Sequence, residues 1–170
     1  APVVTGAVTG TATEDAAIST LNALANATDV DTGAVLNATN IPAALPAGVT
    51  FSAANNTFSL DPSVVAYQSL AAGQTTTVTV NYAVTDGTIA TPASVSWTVT
   101  GTNDAPAVSG AVTAAATEDA AAVLTVDLLA NASDVDLSDD MDVSGVSVAV
   151  NDVTWTAPIA YTVDAETGAL

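Results

Sequence analysis

The chain contains no lysine, arginine, histidine or cysteine, and only 4% of it is aromatic. Without His, Cys or Lys, most nucleophiles, general bases and soft metal ligands are missing, so catalysis would have to rest on carboxylates and hydroxyls. Without Lys or Arg nothing neutralises a phosphate backbone, which excludes nucleic acid as a partner and disfavours anionic membrane surfaces. Without cysteine no disulfide staples the fold or reports the redox compartment. A lysine-dependent isopeptide crosslink is likewise impossible. The sequence also lacks an apolar run of the ~20 residues that span a bilayer, and no charged segment precedes an apolar one, so no membrane insertion is expected of it.

What is present is acidic and apolar at once. Eighteen Asp and Glu give a net charge of -18, while 49% of residues are hydrophobic. A positive mean hydropathy argues against disorder. The apolar residues are mostly Ala and Val alternating with Thr and Ser, which suits thin β-sandwiches better than helical cores.

The sequence states itself twice. Residues 1–31 run APVVTGAVTGTATEDAAISTLNALANATDVD, and residues 105–136 run APAVSGAVTAAATEDAAAVLTVDLLANASDVD. Ala1 aligns with Ala105 and Glu14 with Glu118 at an offset of 104; Asn26 aligns with Asn131 and Asp29 with Asp134 at 105, after one insertion. Such a period fits one sandwich domain per repeat and is too long for a solenoid unit. The expected organisation is a complete repeat over 1–104 and the N-terminal part of a second copy over 105–170, joined at GTNDAPAV, Gly101 to Val108. Counterparts of the first copy's last strands are absent from the second, which should then not be stable alone. The opening Ala1-Pro2, repeated at Ala105-Pro106, suggests a piece of a longer polypeptide.

Within the first copy, Val78, Val80, Tyr82 and Val84 alternate with polar or small residues, as do Val95, Trp97 and Val99. Period 2 predicts two half-buried strands, paired as a hairpin through Thr85-Asp86-Gly87-Thr88. Val3 to Thr9 and Ala17 to Leu24 read as earlier strands around the Thr13-Glu14-Asp15 turn, and Val49 to Ser52 and Thr57 to Leu60 as short strands around Asn55-Asn56. Asp61-Pro62-Ser63 suits the cap of a single helical turn through Tyr67 to Leu70.

None of the seven acids in residues 1–104 falls inside a predicted strand. Alternating strand direction places Glu14, Asp15, Asp61 and Asp104 at one end of the domain, and Asp29, Asp31 and Asp86 at the other. Carboxylates gathered in this way repel one another. A hard divalent cation with 6 to 8 oxygen ligands would relieve the repulsion, and Ca²⁺ is the natural candidate. An EF-hand does not fit, because neither DVD run carries the required Gly or the distal Glu. The alternative is that acidic loops keep an Ala/Val-rich protein soluble.

TED, DVD, LDPSVVAYQSL, VNYAVTDG and GTNDAP, in this order and spacing, resemble the VCBS/cadherin-like repeats of large RTX-type bacterial adhesins. The resemblance implies an all-β fold of tandem Ig/cadherin-like Greek-key β-sandwiches, the second one incomplete. It further implies Ca²⁺ at the joint between the copies, held by Glu14, Asp15, Asp61, Asn103, Asp104, Asp134 and Asp136. Asp29, Asp31 and Asp86 would serve the preceding joint, and Glu118 and Asp119 the following one. Thr102 stands where cadherins carry the first linker Asp, and Ser63 where they carry a Glu, which implies fewer or weaker ions per joint.

Other residues read as structural. Trp97 and Trp155 occupy alternating strand positions and are expected in the core. Asn26, Asn37, Asn55 and Asn131 satisfy N-x-S/T, a pattern that arises by chance in a chain this rich in Ser and Thr. Asp139, Asp140 and Asp142 exist only in the second copy, and either widen a Ca²⁺ site or form a solvated loop. The function these features predict is that of a non-enzymatic, extracellular extender on a bacterial surface, supporting adhesion or biofilm formation. Its partners would be neighbouring repeats of the same chain. A filament subunit completed by strand exchange between identical chains is the alternative, followed by a carbohydrate-binding module.

Overall fold

The computed structural model describes residues 1–117, 119, 124–137 and 139–145. The chain divides into two compact units, Ala1–Asn103 and Asp104–Leu170. This boundary falls one residue before the one expected from the repeat. Asp104 goes with the second unit because its N–H donates to Asp136 Oδ2 at 2.8 Å.

The first unit is all-β among the described residues. Its strands are β1 (Val3–Val4), β2 (Val8–Thr13), β3 (Ser19–Asn22), β4 (Ala27–Thr28), β5 (Asn37–Thr39), β6 (Val49–Ser52), β7 (Thr57–Leu60), β8 (Thr75–Thr85) and β9 (Ala90–Thr100). One sheet has the order β2-β9-β8-β5 and the other β3-β7-β6, with β1 and β4 paired beside them. Phe58, Leu60, Val84, Val95, Trp97 and Val99, all fully buried, fill the space between the sheets.

Contacts between the sheets are specific. The rings of Phe58 on β7 and Tyr82 on β8 lie 5.1 Å apart, Tyr82 Oη donates to the Ala23 carbonyl at 2.6 Å, and Trp97 Nε1 donates to Ser19 Oγ at 3.1 Å. Burying a side chain the size of Trp97 is worth several kcal/mol, about 3 to 5 when it is cut back to Ala. Outer faces carry short hydroxyl pairs instead, such as Thr79 with Ser96 at 3.2 Å and Thr20 with Ser59 at 2.8 Å. The arrangement is an Ig/cadherin-like β-sandwich.

Three elements differ from the expectation. The strand predicted over Val3 to Thr9 is two: β1 pairs with β4, while β2 runs parallel to β9 with Val8 opposite Val95 and Thr13 opposite Thr100. The break has its cause in Asn26, far along the chain. Asn26 Nδ2 donates to the carbonyls of Gly6 and Ala7, at 3.5 and 2.8 Å, and so takes them out of any ladder.

The turn after Asp61 is not helical. Tyr67 N–H donates to the Val64 carbonyl and Leu70 N–H to that of Tyr67, both three residues back, as in successive tight turns. Tyr67 Oη meanwhile donates to the Ala47 carbonyl at 2.7 Å, which draws this segment onto the loop before β6. The short strands β4 and β5 carry no alternation long enough to be read from sequence.

Gly101 is held tightly. Its N–H donates to the Gln74 carbonyl at 2.8 Å and its own carbonyl accepts from Gly73 at 3.1 Å. A Cβ at this position would lie 2.1 Å from the Leu70 carbonyl oxygen, so only glycine fits where the chain leaves the sandwich.

In the second unit β10 (Ala107–Val108) pairs with β11 (Ala132–Ser133), Ala107 opposite Ser133 and Val108 opposite Ala132. The pairing matches that of β1 with β4, Val3 opposite Thr28 and Val4 opposite Ala27, at the offsets of the repeat. Trp155, Glu118 and the Thr162 to Leu170 segment lie outside the described residues.

Candidate cation sites

The first site is built on the loop that follows β4. Thr5 N–H donates to the Asn26 carbonyl at 3.0 Å, and with the two Asn26 amide bonds this fixes the loop against the segment between β1 and β2. Asp29 Oδ1 then accepts the Asp31 N–H at 2.9 Å, an Asx turn that holds both acids on a short arc.

Asp86 arrives from the β8–β9 hairpin. Its Oδ1 accepts the N–H groups of Thr88 and Ile89, at 2.7 and 2.8 Å, which leaves Oδ2 to face the loop. Asp29, Asp31 and Asp86 each offer an oxygen, all within 4.8 Å of one another.

The N-terminal ammonium of Ala1 sits among them, 3.5 Å from Asp29 Oδ2, 3.3 Å from Asp31 Oδ2 and 3.5 Å from Asp86 Oδ2. Desolvation pulls the ammonium pKa down, but the hydrogen bond to Asp31 and the charges of Asp29 and Asp31 together raise it. The Ile89 and Thr88 N–H groups hold the Asp86 carboxyl below the usual carboxylate range.

The second site repeats this construction. Ser109 N–H donates to the Asn131 carbonyl at 2.9 Å, Asn131 Nδ2 to the carbonyls of Gly110 and Ala111 at 3.2 and 3.1 Å, and Asp136 N–H to Asp134 Oδ1 at 2.9 Å. Here the third carboxylate is Asp139, and the oxygens of Asp134, Asp136 and Asp139 again lie within 4.8 Å of one another.

Asp136 is only 4% exposed, and its Oδ1 meets no hydrogen-bond donor among the described residues. A buried ionised oxygen without a donor is costly, and a cation relieves that cost. Desolvation, followed by the charges of Asp136 and Asp134, pushes the Asp139 carboxyl above its ordinary value. Oxygen-only donors, three carboxylates and room for water on the exposed Asp139 side fit a hard divalent ion such as Ca²⁺ and do not fit a soft one.

Other acids singled out in the sequence have hydrogen-bond partners within the first unit. Glu14 is 2% exposed and its Oε2 accepts the Thr102 N–H at 3.1 Å. Asp15, at φ 60°, accepts from Gln68 Nε2 at 3.0 Å. Asp61 Oδ1 accepts both Ser63 Oγ, at 2.7 Å, and Ser63 N–H, at 3.0 Å, and these bonds lower its pKa. Glu14, Asp15 and Asp61 do not form a three-carboxylate group within their unit. Asn103 and Asp119 are exposed, Asp119 at the same φ of 60° as its counterpart Asp15.

Sequence reasoning passed over the two asparagines that pin the loops. The available signal was that N-A-[ST]-D-V-D recurs whole in both copies, so that Asn26 and Asn131 belong to the acidic motif.

A sandwich with acidic turns at its ends places the first unit in the Ig/cadherin-like class. In agreement, a family profile described as a cadherin-like domain matches residues 102–165. Among solved structures, an endo-fucoidan hydrolase, MfFcnA4 from glycoside hydrolase family 107, aligns at 19% identity and a TM-score of 0.36. The alignment covers 59% of this chain and 14% of that one, and a likeness so slight carries no argument. No curated protein sequence matches the chain. Among the described residues no helix is long and apolar enough to cross a membrane.

Proposed function

We propose that the chain is an extender segment of a large bacterial surface or secreted adhesin built from VCBS/cadherin-like repeats. It is a load-carrying string of sandwiches that does no chemistry of its own. Ca²⁺ bound at the domain ends converts a flexible string into a stiff one. The observation that carries this reading is a three-carboxylate cluster built on the same loop in each unit, Asp29 and Asp31 joined by Asp86 from the β8–β9 hairpin, and Asp134 and Asp136 joined by Asp139. Acidic loops that served only solubility would have no need of a buried Asp136 oxygen without a donor.

In this role Asp29, Asp31 and Asp86 bind the ion of the first unit, and Asp134, Asp136 and Asp139 that of the second. Extracellular Ca²⁺ modules bind with dissociation constants of about 10⁻⁴ to 10⁻³ M. The string therefore stiffens outside the cell and stays loose inside it. Small-angle scattering of the 170-residue chain with millimolar Ca²⁺ and with EGTA tests the reading. The expected result is a longer maximum dimension with Ca²⁺; identical profiles would remove the proposal. Association that grows with protein concentration would favour the filament reading instead.

A further inference from the structure

Aligning the two acidic loops residue by residue exposes a substitution. Asp31 aligns with Asp136 and Ala34 with Asp139, both at the offset of 105. The backbone turns are alike: Ala34 N–H donates to the Asp31 carbonyl at 3.1 Å and Asp139 N–H to the Asp136 carbonyl at 3.4 Å. The first unit has a methyl where the second has a carboxylate. Its own third carboxylate comes from Asp86, on a hairpin that exists only once β8 and β9 have paired.

We propose that Asp139 is a third carboxylate ligand supplied from within the Asp134–Asp139 loop, and that this loop binds a divalent cation more tightly for having it. The inference rests on the Ca²⁺ reading above and assigns a separate role to one residue. Two observations support it. The oxygens of Asp134, Asp136 and Asp139 already lie within 4.8 Å of one another, all three from one short stretch of chain. The buried Asp136 Oδ1 meets no hydrogen-bond donor among the described residues, while Asp136 Oδ2 is fixed by the Asp104 N–H, so Oδ1 is held ready for an ion. Affinity in oxygen-ligand sites follows the number of charged ligands and the rigidity of the loop. The second loop therefore has three carboxylates from local sequence, while the first draws its third from the β8–β9 hairpin.

Calorimetric titration of the whole chain with CaCl₂ tests this, with Asp134, Asp136, Asp29 and Asp31 amide shifts as a second readout. Asp139→Asn, which keeps shape and removes charge, should weaken the site reported by Asp134 and Asp136 by about tenfold or more and leave the other unchanged. Asp86→Asn should do the reverse. Ala34→Asp should restore binding to the Asp86→Asn chain.

If Ca²⁺ binds but Asp139→Asn leaves the Asp134 and Asp136 titration unaltered, the role of Asp139 is overturned and the extender reading stands. If the unsubstituted chain takes up no Ca²⁺ at millimolar concentration, both fall. Failure of Ala34→Asp to rescue would show that the loop position alone does not supply the ligand, and would overturn the equivalence.

Discussion

The loops around Asn26 and Asn131 sit in two units of very different extent, yet their described hydrogen bonds correspond nearly one for one. In each, a hydroxyl residue, Thr5 or Ser109, binds the asparagine carbonyl through N–H and Oγ, and the asparagine amide binds two carbonyls across the loop. In each, the first Asp of DVD accepts the N–H of the second. Upstream, Asn22 in one copy and Asp127 in the other accept the N–H of a leucine two residues on, both at 2.9 Å. Their described three-carboxylate groups differ in the third member, Asp86 in one and Asp139 in the other. The placement of the first two carboxylates is thus a property of local sequence, while the third comes from the β8–β9 hairpin in one group and from the same loop in the other.

The sharpest test of this comparison removes the support of one loop and watches both. Trp97→Ala should destabilise the first unit by about 3 to 5 kcal/mol in urea denaturation. The amides of Asp29 and Asp31 should lose protection while those of Asp134 and Asp136 keep theirs; simultaneous loss would show that the second loop is not locally specified.

Next in size is the ion. With free Ca²⁺ at about 100 times the dissociation constant, the native state should gain about 2.7 kcal/mol per site, seen as a higher melting temperature that EGTA reverses.

Smaller again are the pins. Asn26→Ala and Asn131→Ala each remove side-chain bonds to two carbonyls and should cost about 1 to 2 kcal/mol apiece. Unequal costs, measured by amide exchange of the two loops, would show that the matching bonds do not carry matching energies.

The smallest effect is at Asp61, which has no described counterpart in the second unit. Because Ser63 lowers its pKa below the ordinary 3.8, its contribution to stability is present above that value and lost as pH falls through the folded one. Ser63→Ala should return the carboxyl towards 3.8, and a carbon-13 titration that shows no rise would remove Ser63 as the cause.

Much of the sandwich was legible because alternation is a direct record of burial. Val78, Val80, Tyr82 and Val84 face the core from β8, and Val95, Trp97 and Val99 from β9, as their spacing predicts. Asp29, Asp31 and Asp86 were legible as a set because they fall in turns at one end of alternating strands.

The break at Gly6 was hidden because its cause is the amide of Asn26, twenty residues away. The parallel pairing of β2 with β9 was hidden for a similar reason, since no periodicity records which distant strand lies alongside. The depth of Glu14 and its bond to the Thr102 N–H depend on where β9 ends, and sequence does not report that.

The pairing of β2 with β9 has a mechanical meaning. The chain enters the sandwich ahead of β2 and leaves it after β9, and the two strands run side by side in the same direction over six residue pairs, Val8 with Val95 through Thr13 with Thr100. Tension on the two ends of the unit therefore slides one strand along the other. The bonds between them are loaded together in shear and must fail together, whereas a hairpin pulled at its open end peels one bond at a time. Gly101, seated against the Leu70 carbonyl, anchors the exit just where that force leaves the sheet.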